Sequence, residues 1–306
     1  MAAGQTAAWP TKPIRWIVNF PPAGAADIMS RALAEYFGTK LGQPIVVENK
    51  PGAGGMLGAD IVAKARGDAH IVMISSAASH GIGPVLYKDV PYDPLADFTH
   101  IHLVGTFPSV LAVNGSSPIG SVQELIEIAR AKPGEVTYGS GGNGTMNHLV
   151  GQLLALAAKA QLTHIPYRGS APAMNDLIGG QVHLMADPML SSLPHVKSGR
   201  LRALAVTSAK RTPLAPDVPT VAESGMQAFD MVSWYAVWAP KGLPADVSAY
   251  LSKNIAEVVN SDRFKQKLAP FGFEPDFKDS AALRAFVIDE MKRYDAIVKA
   301  SKIQVQ

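Results

Sequence analysis

The chain has 306 residues, a formal net charge of +3 and no cysteine; 47% of its residues are hydrophobic and 17% are charged. This composition is typical of a folded globular protein of about two domains, and it excludes thiol catalysis, disulfides and cysteine-based metal centres. The small net charge gives no support to nucleic acid as a partner, and no stretch approaches the ~18–20 continuous apolar residues of a membrane span.

Strand-like runs alternate with helical patterns in the first third of the chain. The predicted elements are strand Ile14–Phe20, helix Ile28–Leu41, strand Pro44–Glu48, helix Met56–Ala65, strand His70–Ser75 and a small-residue loop at Ser76–Gly83. Alternation of this kind predicts an α/β fold with a mainly parallel sheet.

The middle of the chain begins with Phe98–Val113, a long β-prone segment. Pro108 interrupts it, which predicts two strands or one bent strand. Ser121 and Glu124 form a capping-box pattern ahead of helix Val122–Ala131. The remaining predicted elements are strands Val136–Tyr138, Leu162–Pro166, Val182–Ala186, Leu201–Thr207 and Ser233–Ala239, and helices opening near Thr145 and Ser170 and over Ala245–Asn260, Asp262–Leu268 and Ala281–Ala300.

The helical C-terminal quarter follows strand Ser233–Ala239, and a helical tail normally packs back on a folded body. We therefore expect a discontinuous first domain of residues 1–109 and 234–306, and a second domain of residues 110–233. The two crossings, near Ser109 and Trp234, would form a hinge. A cleft between such domains is where ligands prefer to bind.

Two stretches share the design of a strand, a turn-rich loop and a helix start. In Val136–Leu149 the loop Ser140–Gly144 has almost no side chains, and Ile14–Asp27 repeats the design near the start of the chain. Such a loop leaves backbone N–H groups bare at the positive end of a helix dipole. Each stretch is therefore a candidate anion site.

Gly139, Gly141 and Gly144 also match the G-x-G-x-x-G pattern of dinucleotide-binding proteins. That pattern requires an acidic residue about 20 positions further on, and no Asp or Glu occurs between Gly144 and Asp176. No lysine follows the glycines, as a phosphate-binding P-loop would require. A small anion such as a carboxylate is favoured, with a plain turn as the alternative.

Three charged residues near these loops each have two interpretations. Asp27 stands where a helix N-cap belongs, and a capping carboxylate can also fix a ligand loop. Arg168 follows a strand end and could bind a carboxylate in a forked geometry, or it is a solvated surface residue. Asp187 could accept a hydrogen bond from a ligand, or it caps the helix that Pro188 opens.

Catalysis has little support in the sequence. No G-x-S-x-G elbow is present, and His148 lies near Ser140 only in sequence. His100 and His102 share one face of a strand without a third metal ligand, so we expect them on a half-exposed strand. A hydrolase that uses His148 is the enzyme alternative to a binding protein.

Six sequence signatures, in a fixed order, indicate a resemblance to a known family. The resemblance covers the whole chain from about Trp9 to its end. The signatures are WPTKPIRWIVNFPPAGAAD (9–27), VVENKPGAGGMLGAD (46–60), YGSGGNGTMNHL (138–149), PYRGSAPAMNDLIGGQVHLMAD (166–187), GRLRALAVTSAKR (199–211) and DVPTVAESG (217–225). Their order and spacing resemble the Bug-type (TctC-like) solute-binding proteins of the tripartite tricarboxylate transporter family.

The resemblance implies a two-domain Venus-flytrap fold of type II-like topology, each domain having a mainly parallel sheet flanked by helices. It implies export to the periplasm, although Met1–Trp9 by itself fits the remainder of a removed signal peptide and a cytosolic N-terminus equally. It implies a captured organic acid and delivery to integral-membrane transporter subunits. We expect a monomer, with neither cofactor nor metal.

In the family, the two loops face each other across the cleft, and one ligand carboxylate is held by hydroxyls and amides of the second loop. Carried over to this sequence, together with the strand-end residues above, this gives a predicted binding set of Phe20, Ala23, Gly24, Asp27, Ser76, Ser79, Ser140, Gly141, Gly144, Thr145, Tyr167, Arg168 and Asp187. The chain departs from the family pattern at Ala23–Ala25, Arg66–His70, Arg168, His183 and Ala186.

Our hypothesis is that the chain is a binding protein for a small carboxylate, and a dicarboxylate is the favoured ligand. An aromatic acid such as a benzene dicarboxylate is an alternative, because Phe20, Phe107, Trp234 and Tyr235 could line a pocket; they could equally be hinge and core residues. A ligand-sensing protein that signals to a membrane partner is a further alternative, since it needs the same closure.

Overall fold

The computed structural model describes residues 9–22, 25–227, 229–301 and 303 of the chain. The described helices are α1 (Ala25–Leu41), α2 (Met56–Lys64), α3 (Gly83–Leu86), α4 (Val122–Ala131), α5 (Met146–Ala158), α6 (Ser170–Ile178), α7 (Met189–Lys197), α8 (Ala245–Asn260), α9 (Asp262–Leu268) and α10 (Ser280–Ala300). The described strands are β1 (Ile14–Val18), β2 (Ile45–Asn49), β3 (Ile71–Ser76), β4 (Phe98–Asn114), β5 (Thr137–Ser140), β6 (Thr163–Pro166), β7 (Leu184–Pro188), β8 (Leu201–Val206), β9 (Val232–Pro240) and β10 (Glu274–Lys278). Strands and helices alternate along most of the chain, which confirms the predicted α/β class.

Contacts divide the chain into two compact units. The first comprises the described residues within Met1–Gly105, Trp234–Gln266 and Pro275–Met291, and the second those within Thr106–Ser233, Lys267–Glu274 and Lys292–Gln306. The sequence pattern placed 267–274 and 292–306 in the first domain, whereas their described residues group with the second unit. Phe273 packs on Phe107 there, with ring centroids 5.6 Å apart, and Arg293 donates a hydrogen bond to the Asp230 carbonyl. The other predicted domain bounds stay a prediction.

The first unit is built on a sheet with the strand order β2–β1–β3–β9–β4. β1 pairs in parallel with β2 and β3, and β9 pairs antiparallel with β3. β1 is buried at every position except Arg15, and strands of a parallel sheet covered on both faces are nearly continuous apolar runs. Its Trp16 packs on Phe37 of α1, with ring centroids 6.0 Å apart, so α1 covers this part of the sheet.

The second unit has the strand order β8–β4–β7–β5–β6. β5 pairs in parallel with β6 and β7, while β4 pairs antiparallel with β7 and β8. An apolar core fills the space between this sheet and α6 and α7. Its fully buried members include Val110, Ala112, Ala173, Leu177, Met185, Met189 and Val206. The parallel strands place the carboxyl ends of β5, β6 and β7 at one edge of the sheet.

β4 is one continuous strand of 17 residues that begins in the first unit and ends in the second. Of the two forms that the sequence allowed for this segment, the structure has the single strand. Pro108 is tolerated because the pairing with β7 starts at Ser109, so its missing N–H removes no bond from that pairing. The expected half-exposed face is wrong: His100 and His102 are both buried, and burial lowers the pKa of His100 to about 4.

Helix starts show where the sequence pattern was right and where it was wrong. The predicted cap of α4 is confirmed, because Ser121 Oγ accepts a hydrogen bond from the Glu124 N–H at 3.1 Å. α1 instead begins at Ala25, three residues earlier than predicted. The predicted loop Ser76–Gly83 is largely a helical turn at Ala78–Ile82, held by a 2.6 Å hydrogen bond from the Tyr92 hydroxyl to the Ser79 carbonyl.

None of the described helices is both long and apolar enough to cross a membrane.

Candidate functional site

The first predicted loop lies between β1 and α1 in the first unit. Ala23 and Gly24 fall outside the described residues. Phe20 is half-buried, and its ring meets Tyr235 edge-on at 6.3 Å between centroids. The Phe20 carbonyl accepts a 3.1 Å hydrogen bond from the side-chain amide of Asn49, so β2 fixes the start of this loop.

Asp27 is buried in the first turn of α1 and is not the N-cap that the sequence suggested. It accepts hydrogen bonds from Arg31 Nε at 3.0 Å and from Asn49 Nδ2 at 2.9 Å. A carboxylate in the first turn is favourable because of the helix dipole. Asp27 therefore ties α1 to β2 and, through Asn49, to the loop at Phe20.

Ser76 and Ser79 lie at and beyond the end of β3, and both are buried. Asn19 Nδ2 donates to Ser75 Oγ at 3.0 Å and to Ser79 Oγ at 2.9 Å, and Ser75 Oγ lies 2.8 Å from Nδ1 of His80. Ser76 Oγ accepts from the Ala78 N–H at 3.3 Å. This polar network rigidifies the edge of the sheet where the first loop begins.

The second predicted loop connects β5 to α5 in the second unit. Gly142 and Gly144 have φ angles of 124° and 75°, which only glycine adopts without strain. The hydroxyls of Ser140 and Thr145 donate to the same acceptor, the Gly142 carbonyl, at 3.1 and 2.7 Å. Thr145 is the N-cap residue of α5, but its side chain makes no capping bond to the helix. Two hydroxyl donors thus converge beside a helix N-terminus.

Gly141 brings the loop against a second helix start. A Cβ at this position would lie 3.1 Å from Ser170 Oγ and 3.2 Å from the Ser170 nitrogen, and the Gly169 N–H donates to the Gly141 carbonyl at 3.1 Å. Ser170 opens α6. The partial positive charges of two helix N-termini therefore lie beside one loop.

Two histidines stand directly behind this loop. His148, in the first turn of α5, stacks on His164 of β6 with ring centroids 4.1 Å apart, and His164 also stacks on Tyr138 at 4.9 Å. His164 Nε2 lies 2.6 Å from Ser140 Oγ, and His148 Nδ1 accepts from the Gly144 N–H at 3.2 Å. Burial lowers the pKa of both rings to about 4, with the neighbouring His148 adding to the effect on His164.

The Ser140–His164 contact has the spacing of a nucleophile and its general base. Catalysis also needs a base whose pKa lies near the working pH and a group that orients it. The lowered pKa makes His164 a weak base at neutral pH, and within the described part of the chain no carboxylate is hydrogen-bonded to its ring. The geometry therefore favours a binding loop over a hydrolytic site.

Tyr167 and Arg168 follow the end of β6. The Tyr167 hydroxyl donates to Asp176 Oδ2 at 2.7 Å; burial, followed by this bond, raises the pKa of Tyr167 to about 12. Arg168 is exposed, and among the described residues it has neither a hydrogen bond nor an ion pair. Its guanidinium is thus a free donor group at the edge of the sheet that also bears Ser140.

Asp187, at the end of β7, is fully buried. It accepts hydrogen bonds from the hydroxyls of Ser191 and Ser192 and, at 3.3 Å, from Nδ2 of Asn147 in the first turn of α5. The N-cap position of α7 belongs to Pro188, so the alternative that Asp187 caps this helix is wrong. Burial, opposed by these three hydrogen bonds, raises the pKa of Asp187 to about 6.

Asp187→Asn is expected to stabilise the protein above pH 6. Folding raises the pKa of Asp187 from 3.8 to about 6. The protonated carboxyl therefore contributes to the free energy of unfolding below about pH 4, and this contribution is lost as the pH rises through about 6. That pKa difference corresponds to ~3 kcal/mol. We expect Asp187→Asn to add ~1–3 kcal/mol at pH 8 in urea unfolding, and the difference in stability between the variant and the native protein to grow as the pH rises from 4 to 6. The exposed control Asp217→Asn should reproduce the native curve; a variant less stable at pH 8 would contradict the assignment.

The second unit brings together Ser140, Gly141, Gly144, Thr145, Tyr167, Arg168 and Asp187, all of them at or beyond the ends of β5, β6 and β7. Ligand sites of parallel sheets gather at such ends. Phe20, Asp27, Ser76 and Ser79 belong to the first unit. Neither Asn147 nor His164 was among the residues predicted for the site. The signal for His164 was its place in β6, opposite Tyr138 of β5.

A donor-lined glycine loop at two helix N-termini, on an α/β sheet, is the arrangement expected of a protein that binds a small anionic solute. A profile of the TctC family, described as tripartite tricarboxylate transporter family receptor, matches residues 29–303. The protein BugT of Bordetella pertussis is 38% identical over 292 residues, which cover 95% of this chain and 90% of BugT. The chain belongs to the TctC family.

Solved structures support the same conclusion. Rpa4515 of R. palustris, described with adipate, superposes with a TM-score of 0.87 at 34% identity, covering 97% of this chain and 99% of that one. MatC (Rpa3494) from Rhodopseudomonas palustris, described with bound malate, gives 0.82 at 27% identity, with 95% and 100% coverage. The periplasmic binding protein BugD gives 0.83 at 35% identity, with 97% and 100% coverage.

Membership of this family confirms the resemblance read from the six signatures. The protein is a solute-binding protein of the TctC/Bug family, whose members are periplasmic binding proteins, and it is not an enzyme. The two-domain binding-protein fold predicted from the resemblance is likewise confirmed by these neighbours.

Proposed function

We propose that this protein binds a small organic dicarboxylate and delivers it to the membrane subunits of a tripartite tricarboxylate-type transporter. The observation that supports this most is the β5–α5 loop, where the hydroxyls of Ser140 and Thr145 share a single neutral acceptor. A carboxylate is a stronger acceptor than a peptide carbonyl, because hydrogen bonds to charged groups are shorter and stronger. On binding, both hydroxyl protons would turn from Gly142 to the ligand.

The electrostatics of the second unit favour an anion at this loop. Two helix N-termini adjoin it, and Arg168 offers an unpaired guanidinium at the same sheet edge. The Asp187 carboxylate is enclosed by its own hydroxyl and amide donors, which reduces its repulsion of a nearby anion. Three or four charge-assisted hydrogen bonds of about 1.5–3 kcal/mol each are the right scale for micromolar binding after the cost of association.

The choice of a dicarboxylate rests on the relatives. Two structural neighbours of this chain are described with adipate and with malate, and both of these are dicarboxylates. The edge-on pair of Phe20 and Tyr235 is the specific observation that supports the aromatic alternative, since it offers ring surface in the first unit.

A thermal-shift screen tests the proposed ligand class. The panel is succinate, malate, adipate, citrate, phthalate, terephthalate, benzoate and glutamate, with the matching amides as uncharged controls. A ligand at ~100 times its dissociation constant adds about 2.7 kcal/mol to the folded state, which such a scan resolves. We expect a shift with dicarboxylates and none with the amides. A shift with aromatic diacids alone would favour the alternative ligand, and equal shifts with acids and amides would contradict the anion site.

Delivery to a transporter is tested in cells. Uptake of the radiolabelled ligand should require both this chain and the membrane subunits, and should be lost when either gene is deleted. Uptake that survives deletion of this chain, together with loss of a transcriptional response to the ligand, would instead indicate a sensing role.

A further inference from the structure

The histidine pair behind the β5–α5 loop has no assigned role, although it touches both ends of the loop. His164 contacts Ser140, where β5 ends, and His148 contacts Gly144, just before α5 begins. The two rings are nearly parallel, with an interplanar angle of 13°. The loop conformation is therefore linked to the relative position of two stacked imidazoles.

The proton on His148 is fixed by its neighbour. Its Nδ1 faces the Gly144 N–H, which can only donate, so Nδ1 must be unprotonated. In a neutral imidazole the proton then lies on Nε2, 3.4 Å from the side-chain amide of Gln152, which accepts that proton only when the amide presents its oxygen. A proton on Nδ1 would instead place two donors, the ring N–H and the Gly144 N–H, opposite each other.

The hydrogen bonds around Ser140 allow two positions for the proton on His164. The Ser140 hydroxyl has a single proton and lies 3.1 Å from the Gly142 carbonyl and 2.6 Å from His164 Nε2, so it can donate to only one of them. Its oxygen also accepts from the Gly142 N–H at 3.1 Å. When the hydroxyl proton goes to the Gly142 carbonyl, His164 Nε2 is the donor, and Ser140 Oγ accepts from two N–H groups while its own proton points away from both.

We propose that His164 is a positioning residue for ligand binding: as its Nε2–H form it donates to Ser140 Oγ and thereby directs the Ser140 hydroxyl proton at a ligand carboxylate. This inference rests on the proposed carboxylate-binding function. If the hydroxyl were instead donated to His164, Ser140 would offer the ligand only lone pairs, which repel a carboxylate. His148 has a supporting role, because it holds His164 by stacking and Gly144 by its Nδ1.

Paired variants separate this role from plain packing. His164→Phe keeps an aromatic ring but has no donor, whereas His164→Gln places an amide N–H near the position of Nε2. Isothermal titration would be run with the panel acid that gives the largest thermal shift, on both variants, on Ser140→Ala and on the double variant His164→Phe/Ser140→Ala. Melting temperatures of the unliganded variants serve as the control for folding.

We expect His164→Phe to weaken binding about tenfold to a hundredfold, as the loss of one charge-assisted hydrogen bond does. His164→Gln should restore most of the affinity. The double variant should bind no worse than Ser140→Ala alone, because both changes remove the same donor. Native affinity in a folded His164→Phe, or full additivity with Ser140→Ala, would overturn the inference while the proposed function stood. If the native protein bound no acid in the panel, both would be overturned together.

A spectroscopic measurement on the unliganded protein tests the proton position directly. In a long-range ¹H–¹⁵N spectrum at pH 7, His164 and His148 should both show neutral rings protonated at Nε2. Ser140→Ala should shift the Nε2 resonance of His164 and leave that of His70, a residue of the first unit, unchanged. A His164 ring protonated at Nδ1 would contradict the proposal.

Discussion

Replacing both Ser140 and Thr145 by alanine is expected to weaken carboxylate binding by a factor of a hundred or more. The two hydroxyls both donate to the Gly142 carbonyl, and each substitution would remove one charge-assisted bond of about 1.5–3 kcal/mol to the ligand. Ser140→Ala also removes the oxygen that accepts from the Gly142 N–H, so the loop loses part of its fixed shape. Isothermal titration against the preferred panel acid measures the effect.

A matched control removes two hydroxyls elsewhere. Thr39 and Ser198 are exposed, and each donates to a carbonyl of its own helical turn, at 3.1 Å in both cases. Thr39→Ala/Ser198→Ala should bind the acid with native affinity. If Ser140→Ala/Thr145→Ala stayed folded and kept native affinity, the β5–α5 loop would not be the carboxylate site.

Gly151→Ala is expected to destabilise the second unit although alanine favours helices. A Cβ at Gly151 in α5 would lie 2.2 Å from Cε2 of the buried Tyr138, far inside van der Waals contact. The Tyr138 ring cannot move freely, since Gln152 contacts its hydroxyl at 2.9 Å and His164 stacks on its face. Overpacking of this kind costs typically 1–3 kcal/mol, more than the 0.5–1 kcal/mol gained from helix propensity.

Gly38→Ala is the matched control for that substitution. Gly38 is also inside a helix, α1, but a Cβ there meets nothing closer than 3.9 Å. We expect Gly38→Ala to raise the free energy of unfolding by about 0.5–1 kcal/mol and Gly151→Ala to lower it, both measured by urea unfolding. Equal effects of the two substitutions would show that Tyr138 yields, and that the packing behind the loop is loose.

The sequence predicted the alternating elements because local signals were strong. Buried parallel strands such as β1 are apolar runs, and turn-rich loops separate them from helices. It failed where tertiary contacts decide. α1 begins at Ala25 because Asp27 is drawn into its first turn by Asn49 and Arg31, and residues 78–82 are helical because Tyr92 reaches back to Ser79.

The candidate site was partly visible in the sequence for the same reason. Glycines between a strand and a helix identify an anion loop, whatever the rest of the chain does. The partners behind the loop come from β6 and β7, and no spacing rule links His164 to Ser140 or Asp187 to Asn147. His100 and His102 were expected on a half-exposed strand because histidine is polar. β4 is in fact buried on both faces, and the type of a single residue does not show whether its strand is buried.

The donor set also suits a protein that must release what it binds. Ser140, Thr145 and loop amides are neutral, so no buried charge is left unpaired when the ligand leaves. Arg168, the one cation among the proposed binding residues of the second unit, is exposed and stays solvated in the absence of a ligand. A site with these properties binds by many moderate contacts that can be exchanged for water.

A crystal structure of the protein with its preferred dicarboxylate would show whether the β5–α5 loop is the carboxylate site. We expect one carboxylate group at this loop, with an oxygen about 3 Å from Ser140 Oγ and another near Thr145 Oγ1, and with both hydroxyls turned away from the Gly142 carbonyl. His164 Nε2 should remain within hydrogen-bond distance of Ser140. A bound dicarboxylate whose oxygens all lie away from this loop, with Ser140 and Thr145 still on Gly142, would show that the site lies elsewhere.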